Sequence, residues 1–523
     1  MVEHTLNFNK DFGKHHVDAV IGTTYQHNEW QGLWASRLNF PLIGNNEYLE
    51  VLDAGQSNQQ NTNSINEDAM ISYLGRANYI YDDKYYLTVT FRRDGTSRLA
   101  KEHRWGNFPS FSGAWRISKE KFFKVPWIDD LKIRANWGRL GNASIGCWDY
   151  VGTINQSLVA VIGGGLVSGA AQIRLANSDL VWETKETTNI GFDAAFLNQR
   201  LNVSAEYYLS KTSDVLTNMP IALSTGNQEG SPMANAASLK NRGFELTVGW
   251  RDRAGDFKYD VNLSFTTLKN EVTDLGYDRA YIINGQAISM PGQPLGMFYL
   301  YKTDGLFRTQ ADIDNYVNSQ GEPILINEKR PQLGDVRYVN TDDDTNITDN
   351  DRQICGSPWA KLQTSLLFNA EWKNFDFSMM WYGQFGNKIY NVDRWQGRLF
   401  MDNSNYIRFK KGEEPYQENP NSDTPRIIYG DNRNTKDSDL YLENGSYFRL
   451  KNISLGYTFK QKFLTNLGID RLRLYVTGSN LLTITGYSGL DPDFINTNVW
   501  NRGTCGFVFP NTRSVMFGLD LSF

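Results

Sequence analysis

Residues 340–351 read N-T-D-D-D-T-N-I-T-D-N-D, a run in which oxygen-bearing side chains recur at alternate positions. Asn340, Asp342, Asp344, Ile347 and Asp351 stand at positions 1, 3, 5, 8 and 12 of an EF-hand-like loop. Oxygen ligands at that spacing can wrap a hard cation, and calcium is the candidate. Two residues depart from the pattern. Thr345 holds position 6, where the sharp turn calls for Gly, and Asp351 is shorter than the Glu that usually closes such a loop. The same residues also make an ordinary acidic surface turn, so both readings stay open.

Aromatic residues in polar, loop-like stretches are the second group able to do chemistry: Trp30, Trp34, Trp148, Tyr150, Trp395, Tyr406 and Trp500. Flat aromatic faces stack on the C–H surfaces of sugars, and nearby Asn, Asp and Arg can bond hydroxyls. Trp148, Tyr150, Trp395, Tyr406 and Trp500 are the candidate substrate contacts, with packing inside the loops as the plainer alternative. Catalytic patterns are missing. All five His (4, 15, 16, 27 and 103) fall in the first fifth of the chain, without HExxH spacing. G-Y-S-G at 486–489 is not a nucleophile elbow. G-G-G at 163–165 lacks both the strand-to-helix setting and the Lys of a phosphate loop. Carboxylate pairs are too common to single out, which leaves a loop-built glycoside hydrolase open.

The elements that must hold these residues are strands. At the carboxyl end, Val515, Phe517, Leu519, Leu521 and Phe523 fall on one face, with Ser514, Met516, Gly518, Asp520 and Ser522 on the other. In 84–95, Tyr85, Leu87, Val89 and Phe91 alternate strictly with Tyr86, Thr88, Thr90 and Arg92. Hairpins are expected at 5–12 with 16–25, 187–197 with 201–209, 243–250 with 257–267, and 362–372 with 375–382. Strands are also expected at 108–117, 131–140, 447–459 and 472–484, short helices at 119–124 and around 463–467, and loops at 29–69 and 141–184. Roughly fourteen strands result, longer than the usual globular length. Tight turns (Asp82-Asp83, Asn198-Gln199, Lys373-Asn374) alternate with long connections (211–242, 276–297, 302–360, 388–445, 486–511). Short turns on one side and long loops on the other is the layout of a transmembrane barrel. Lipid offers no hydrogen-bond partner, so a spanning sheet pairs its strand edges and turns apolar residues outward. Leu201/Val203/Ala205/Tyr207, Tyr259/Val261/Leu263/Phe265 and Phe375/Phe377/Met379/Trp381 form such uncharged outward sets. Asn202, Glu206, Asp260, Asn262, Asp376 and Tyr382 are left for the inner face.

Composition agrees. The 523 residues are 13% aromatic, yet mean hydropathy is −0.50. No stretch approaches the length of a membrane-spanning apolar helix. The net charge of −5 argues against nucleic acid as a partner. Cys147, Cys355 and Cys505 share no spacing motif. The opening M-V-E-H-T-L-N-F has no signal-peptide pattern.

Several blocks resemble one family. They are Y-Y-L-T-V-T-F-R-R-D-G-T-S-R (85–98), W-G-N-F-P-S-F-S-G-A-W-R (105–116), the acidic block at 334–352, S-Y-F-R-L-K-N-I-S-L-G-Y-T-F (446–459) and R-L-Y-V-T-G-S-N-L-L-T-I-T-G-Y-S-G-L-D-P-D (473–493). In this order they are similar to the carboxyl-terminal half of SusC/RagA-type TonB-dependent outer-membrane transporters of the Bacteroidetes. The resemblance implies an all-β, antiparallel transmembrane β-barrel with long extracellular loops, residues 1–523 supplying about fourteen of about 22 strands. It also implies uptake of oligosaccharides or, less often, peptides across the outer membrane, a SusD-like surface lipoprotein, and energy from the TonB complex. Family members often carry a fuller calcium loop at the acidic block. The family's signal peptide, TonB-contacting segment, plug domain and early strands have no counterpart among these residues, so the edges at 5–12 and 515–523 are expected to lack partners here. A surface carbohydrate-binding or glycoside-cleaving β-protein is the alternative.

Overall fold

The computed structural model describes residues 1–44, 47–219, 221, 224, 231–276, 279–398, 408–428, 430–459, 468–494, 496 and 498–523. Fifteen strands follow one another in a single sheet: β1 (Val2–Phe12), β2 (His15–Leu38), β3 (Ser57–Tyr81), β4 (Tyr85–Thr96), β5 (Trp105–Arg116), β6 (Ile128–Asn142), β7 (Glu183–Phe196), β8 (Leu201–Asn218), β9 (Met233–Ala254), β10 (Phe257–Thr267), β11 (Leu362–Trp372), β12 (Phe375–Phe385), β13 (Tyr447–Thr458), β14 (Arg471–Thr485) and β15 (Ser514–Ser522). Each is a neighbour of the next in sequence, and Lys269–Asp274 adds a sixteenth strand beside β9. The chain divides into two compact units. The first is Met1–Trp115, Ala135–Thr188 and Lys211–Ser238; the second is Arg116–Arg134, Asn189–Ser210 and Leu239–Phe523.

Register follows from the turns. Asp82 and Asp83 both sit in the left-handed region, at φ 53° and 51°. Hairpin turns that match the twist of the flanking strands need that conformation, and Asp tolerates it better than most side chains. The ladder they start runs without a slip from Tyr81↔Tyr85 to Met70↔Thr96. Gly13 takes the same conformation between β1 and β2, at φ 62°. In the second unit, Trp372↔Phe375 opens an eleven-pair ladder between β11 and β12.

The side-chain pattern is that of a sheet whose greasy face is outermost. On β4, Tyr85, Leu87, Val89 and Phe91 are exposed, and Tyr86, Thr88 and Thr90 are half-buried. On β15, Phe517 is 84% exposed. Rings cluster at the ends of strands beside the short turns. Tyr85 stacks on Tyr81 and on Trp115, each with centroids 6.4 Å apart, in the first unit. In the second, Trp127 stacks on Phe196 at 5.7 Å, and Phe375 lies between Trp372 and Tyr457. Eight residues up β3 from Tyr81, Tyr73 stacks on Trp105 at 6.0 Å. Eight residues of strand climb about 26 Å, or about 20 Å once tilted, close to the height of an apolar membrane band.

Several expected boundaries move. The stretch 29–69, expected as a loop, extends β2 and β3 into a hairpin paired from His15↔Tyr81 to Ser36↔Gln60. Its Asn- and Gln-rich sequence meets water on both faces, so no apolar period marks it. The expected loop 141–184 contains a hairpin of Thr153–Ile162 with Gly165–Arg174, turning through Gly163 and Gly164 at positive φ. The helix expected at 119–124 is a single 3-10 turn at Ile117–Lys119. The one expected around 463–467 lies outside the described residues.

The long connections of the second unit are folded rather than loose. Between β10 and β11, Tyr301, Leu306, Phe307, Ile313, Ile324, Ile326, Val336, Tyr338 and Ile347 form a buried core, with Tyr416 and Leu440 of the next long connection against it. Lys388–Asn391 pairs with Leu442–Asn444 on one side and with Thr504–Cys505 on the other, which ties the last two long connections together. A buried charge cluster adds to this. Asp335, with no exposure, accepts from Arg426 and from Asn434 Nδ2 at 3.0 Å, and Arg433 Nη1 lies 3.5 Å away.

Candidate functional site

The acidic turn is built on that core. Ile347, 2% exposed, plugs into it and pairs in parallel with Ile326. Behind it Thr348 caps a short 3-10 turn, and Asp351 closes the cap with its own side chain. Asp351 is fully buried and accepts the backbone N–H of Thr341 at 2.6 Å and of Thr348 at 2.8 Å. Asp342, Asp344 and Asp351 are thereby brought together, each offering a carboxylate oxygen within 4.8 Å of the others. Oxygens bound to one calcium at about 2.4 Å would stand no farther apart than that, so the three carboxylates fit a shared cation. Asn340 is turned to another task. Its Oδ1 accepts from Asp343 N at 2.9 Å, and its Nδ2 donates to the Asp344 carbonyl at 2.7 Å. The sharp bend falls at Asp343, φ 60°, rather than at Thr345. Hydrogen bonds from Ser319 to Asp343 hold that carboxyl below its ordinary pKa. Nearby, burial pushes the Tyr301 hydroxyl up to about 12, aided by its 2.7 Å hydrogen bond to Asp349, whose carboxyl is lowered in turn.

The aromatic candidates have different surroundings within each unit. Trp148 is 52% exposed, while Tyr150 packs on Leu99, Phe108, Ile145, Leu180 and Trp182 in the first unit. Trp395, half-buried, packs against a core cluster of the second unit. It lies against Phe298, Leu300, Tyr390 and Tyr441 and donates to the Thr435 carbonyl at 3.3 Å. Trp500 is half-buried in a 3-10 turn capped by Asn498. Tyr406 lies outside the described residues. Of the two others, Trp30 carries the Arg98 guanidinium 5.8 Å over its ring, and Trp34 is exposed.

The inner face, by contrast, converges. Asn202, Arg251, Lys258, Asp260, Asn262 and Asn369 surround a cavity of about 780 Å³ near the short turns of the second unit. Asp260 Oδ2 accepts from Asn262 at 3.0 Å and from Asn369 at 3.2 Å. Glu206 pairs with Arg134, and Asp376 accepts from Arg473 Nε at 2.9 Å. Glu206 and Asp376 are thus each matched by an arginine, and Asp260 by two amides.

Residues 2–481 match the family described as TonB dependent receptor-like, beta-barrel. The chain belongs to that family. A TonB-dependent receptor barrel crosses the outer membrane with its strands, which accounts for the apolar outward face and the paired inward one. The receptor is 31% identical to TonB-dependent receptor P3 of Formosa agariphila, over 100% of this chain and 52% of that protein. It is 27% identical to TonB-dependent receptor SusC of Bacteroides thetaiotaomicron, over 99% of this chain and 49% of that protein. Among solved structures, the RagAB peptide transporter superposes with a TM-score of 0.79 at 22% identity, over 100% of this chain and 55% of that one. The chain is thus similar to receptors of the SusC/RagA type, and it spans about half the length of the curated relatives it matches.

Proposed function

We propose that the receptor is the carboxyl-terminal barrel part, residues 1–523, of an energised importer that carries oligosaccharides across the outer membrane. A SusD-like lipoprotein would meet its long connections, and the TonB complex would drive it. The observation that carries this reading is the likeness to SusC along 99% of the chain, coupled to an inner face of hydrogen-bonding side chains around a large cavity. Such a face suits hydroxyl-rich cargo, because each hydroxyl both donates and accepts. The carboxylates of Asp342, Asp344 and Asp351 would hold a calcium ion that stiffens the connection between β10 and β11. Deleting the gene from its host should abolish growth on one oligosaccharide class and leave growth on monosaccharides and peptides intact. Loss of growth on peptides alone would favour the peptide cargo named for the RagAB structure. Reducing-sugar release from a polysaccharide by the purified protein would favour the surface glycoside-cleaving alternative.

A further inference from the structure

We infer that a basic pocket between two long connections of the second unit takes the acidic group of an anionic oligosaccharide, a uronate or a sulfate half-ester. This rests on the oligosaccharide reading above and narrows it. The pocket encloses about 220 Å³, room for one sugar ring. Arg394, Arg408 and Lys410 line it with Asp393, Glu413 and Phe409.

Three cations and two carboxylates line the pocket, an excess of one positive charge. Arg394 is held in place because Asn391 Oδ1 accepts its backbone N–H at 2.9 Å, but its guanidinium reaches Glu443 only at 3.4 Å. Glu443 is already satisfied. It accepts from Asn391 Nδ2 at 3.0 Å and from the backbone N–H and hydroxyl of Ser488, both at 2.7 Å. Arg394 Nε is buried with no hydrogen-bond partner. Of the lining carboxylates, Asp393 is engaged by the Phe507 N–H at 2.7 Å. Arg408 and Lys410 are exposed, and among the described residues no acidic side chain pairs with either. A fixed guanidinium with donors to spare, and two cations without an acidic partner among the described residues, together make a receptor for an oxyanion.

The test is calorimetric titration of the detergent-purified protein with trigalacturonate, maltotriose and triglutamate, at low and at high salt. The acidic sugar is expected to bind about tenfold more tightly than the neutral one, a margin that shrinks with salt. Arg408→Gln with Lys410→Gln should erase the margin, leaving maltotriose binding and heat-modifiable gel migration as in the parent. Two results would overturn the inference while leaving the oligosaccharide reading in place: equal binding of both sugars, or a margin that survives the double substitution. Binding of triglutamate alone would overturn both.

Discussion

Asp335 has no contact with solvent, yet two guanidiniums lean on it, from Arg426 and Arg433 of a different connection. Removing one side of a buried ion pair costs more than the pair is worth, because the partner stays buried and charged. Asp335→Ala is therefore expected to cost about 3–5 kcal/mol locally, seen as new protease cuts in 302–360 and 388–445 with the heat-modifiable strand region intact. A digestion pattern like the parent's would show that the cluster holds nothing. Asp431 gives a pH signature to the same cluster. The hydrogen bond from Arg433 is the largest influence on it, and its carboxyl falls from 3.8 to about 2. The pair's contribution, on the order of 2 kcal/mol, is present above pH 3.8 and is lost as pH falls through about 2. Near-ultraviolet circular dichroism should report a transition in that window that Asp431→Asn removes. For the cation, a chelator should lower the melting temperature of the solubilised protein, and Asp344→Ala should make it indifferent to chelation. A chelator without effect on the parent would leave the turn merely acidic.

Among the elements, the tight turns are the most exacting. Asp82→Val with Asp83→Val would put two β-branched residues in the left-handed region, at about 1–2 kcal/mol each. Denaturant unfolding should show a lower midpoint, and Asp82→Asn with Asp83→Gly should hold or raise it. These turns were legible in the sequence because they sit between runs of strict alternation, as at Lys373-Asn374 between β11 and β12. Strands outside lipid were not legible. The outer halves of β2 and β3 carry polar residues on both faces, and the strand Gly165–Arg174 of the second hairpin is exposed over its first eight residues, so neither shows the one-sided period that marks a half-buried strand. At the site, the spacing of Asp342, Asp344 and Asp351 foretold their convergence. Nothing in the sequence showed that Trp395 would pack against a buried cluster. The basic pocket was hidden for another reason. Arg394 keeps donors to spare only because Glu443 is already occupied, a fact of tertiary structure.

At the scale of the whole molecule, the alternation of short turns with long connections sets the expected sides of the membrane, long connections outside. Protease added to intact cells should reach the connections 142–182, 302–360 and 388–445, and should spare Asp82-Asp83, Asn198-Gln199 and Lys373-Asn374. Cleavage at the short turns would invert the topology. The unbroken ladder from Phe257↔Trp372 to Thr267↔Leu362 carries a further implication, since its two strands are separated by the whole connection 268–361. For a flexible chain, doubling such an excursion adds only about 0.6 kcal/mol of closure entropy. A scaffold that keeps register across an insertion of that size leaves its outer segments free to lengthen and diversify between relatives, while each strand still finds the same neighbour.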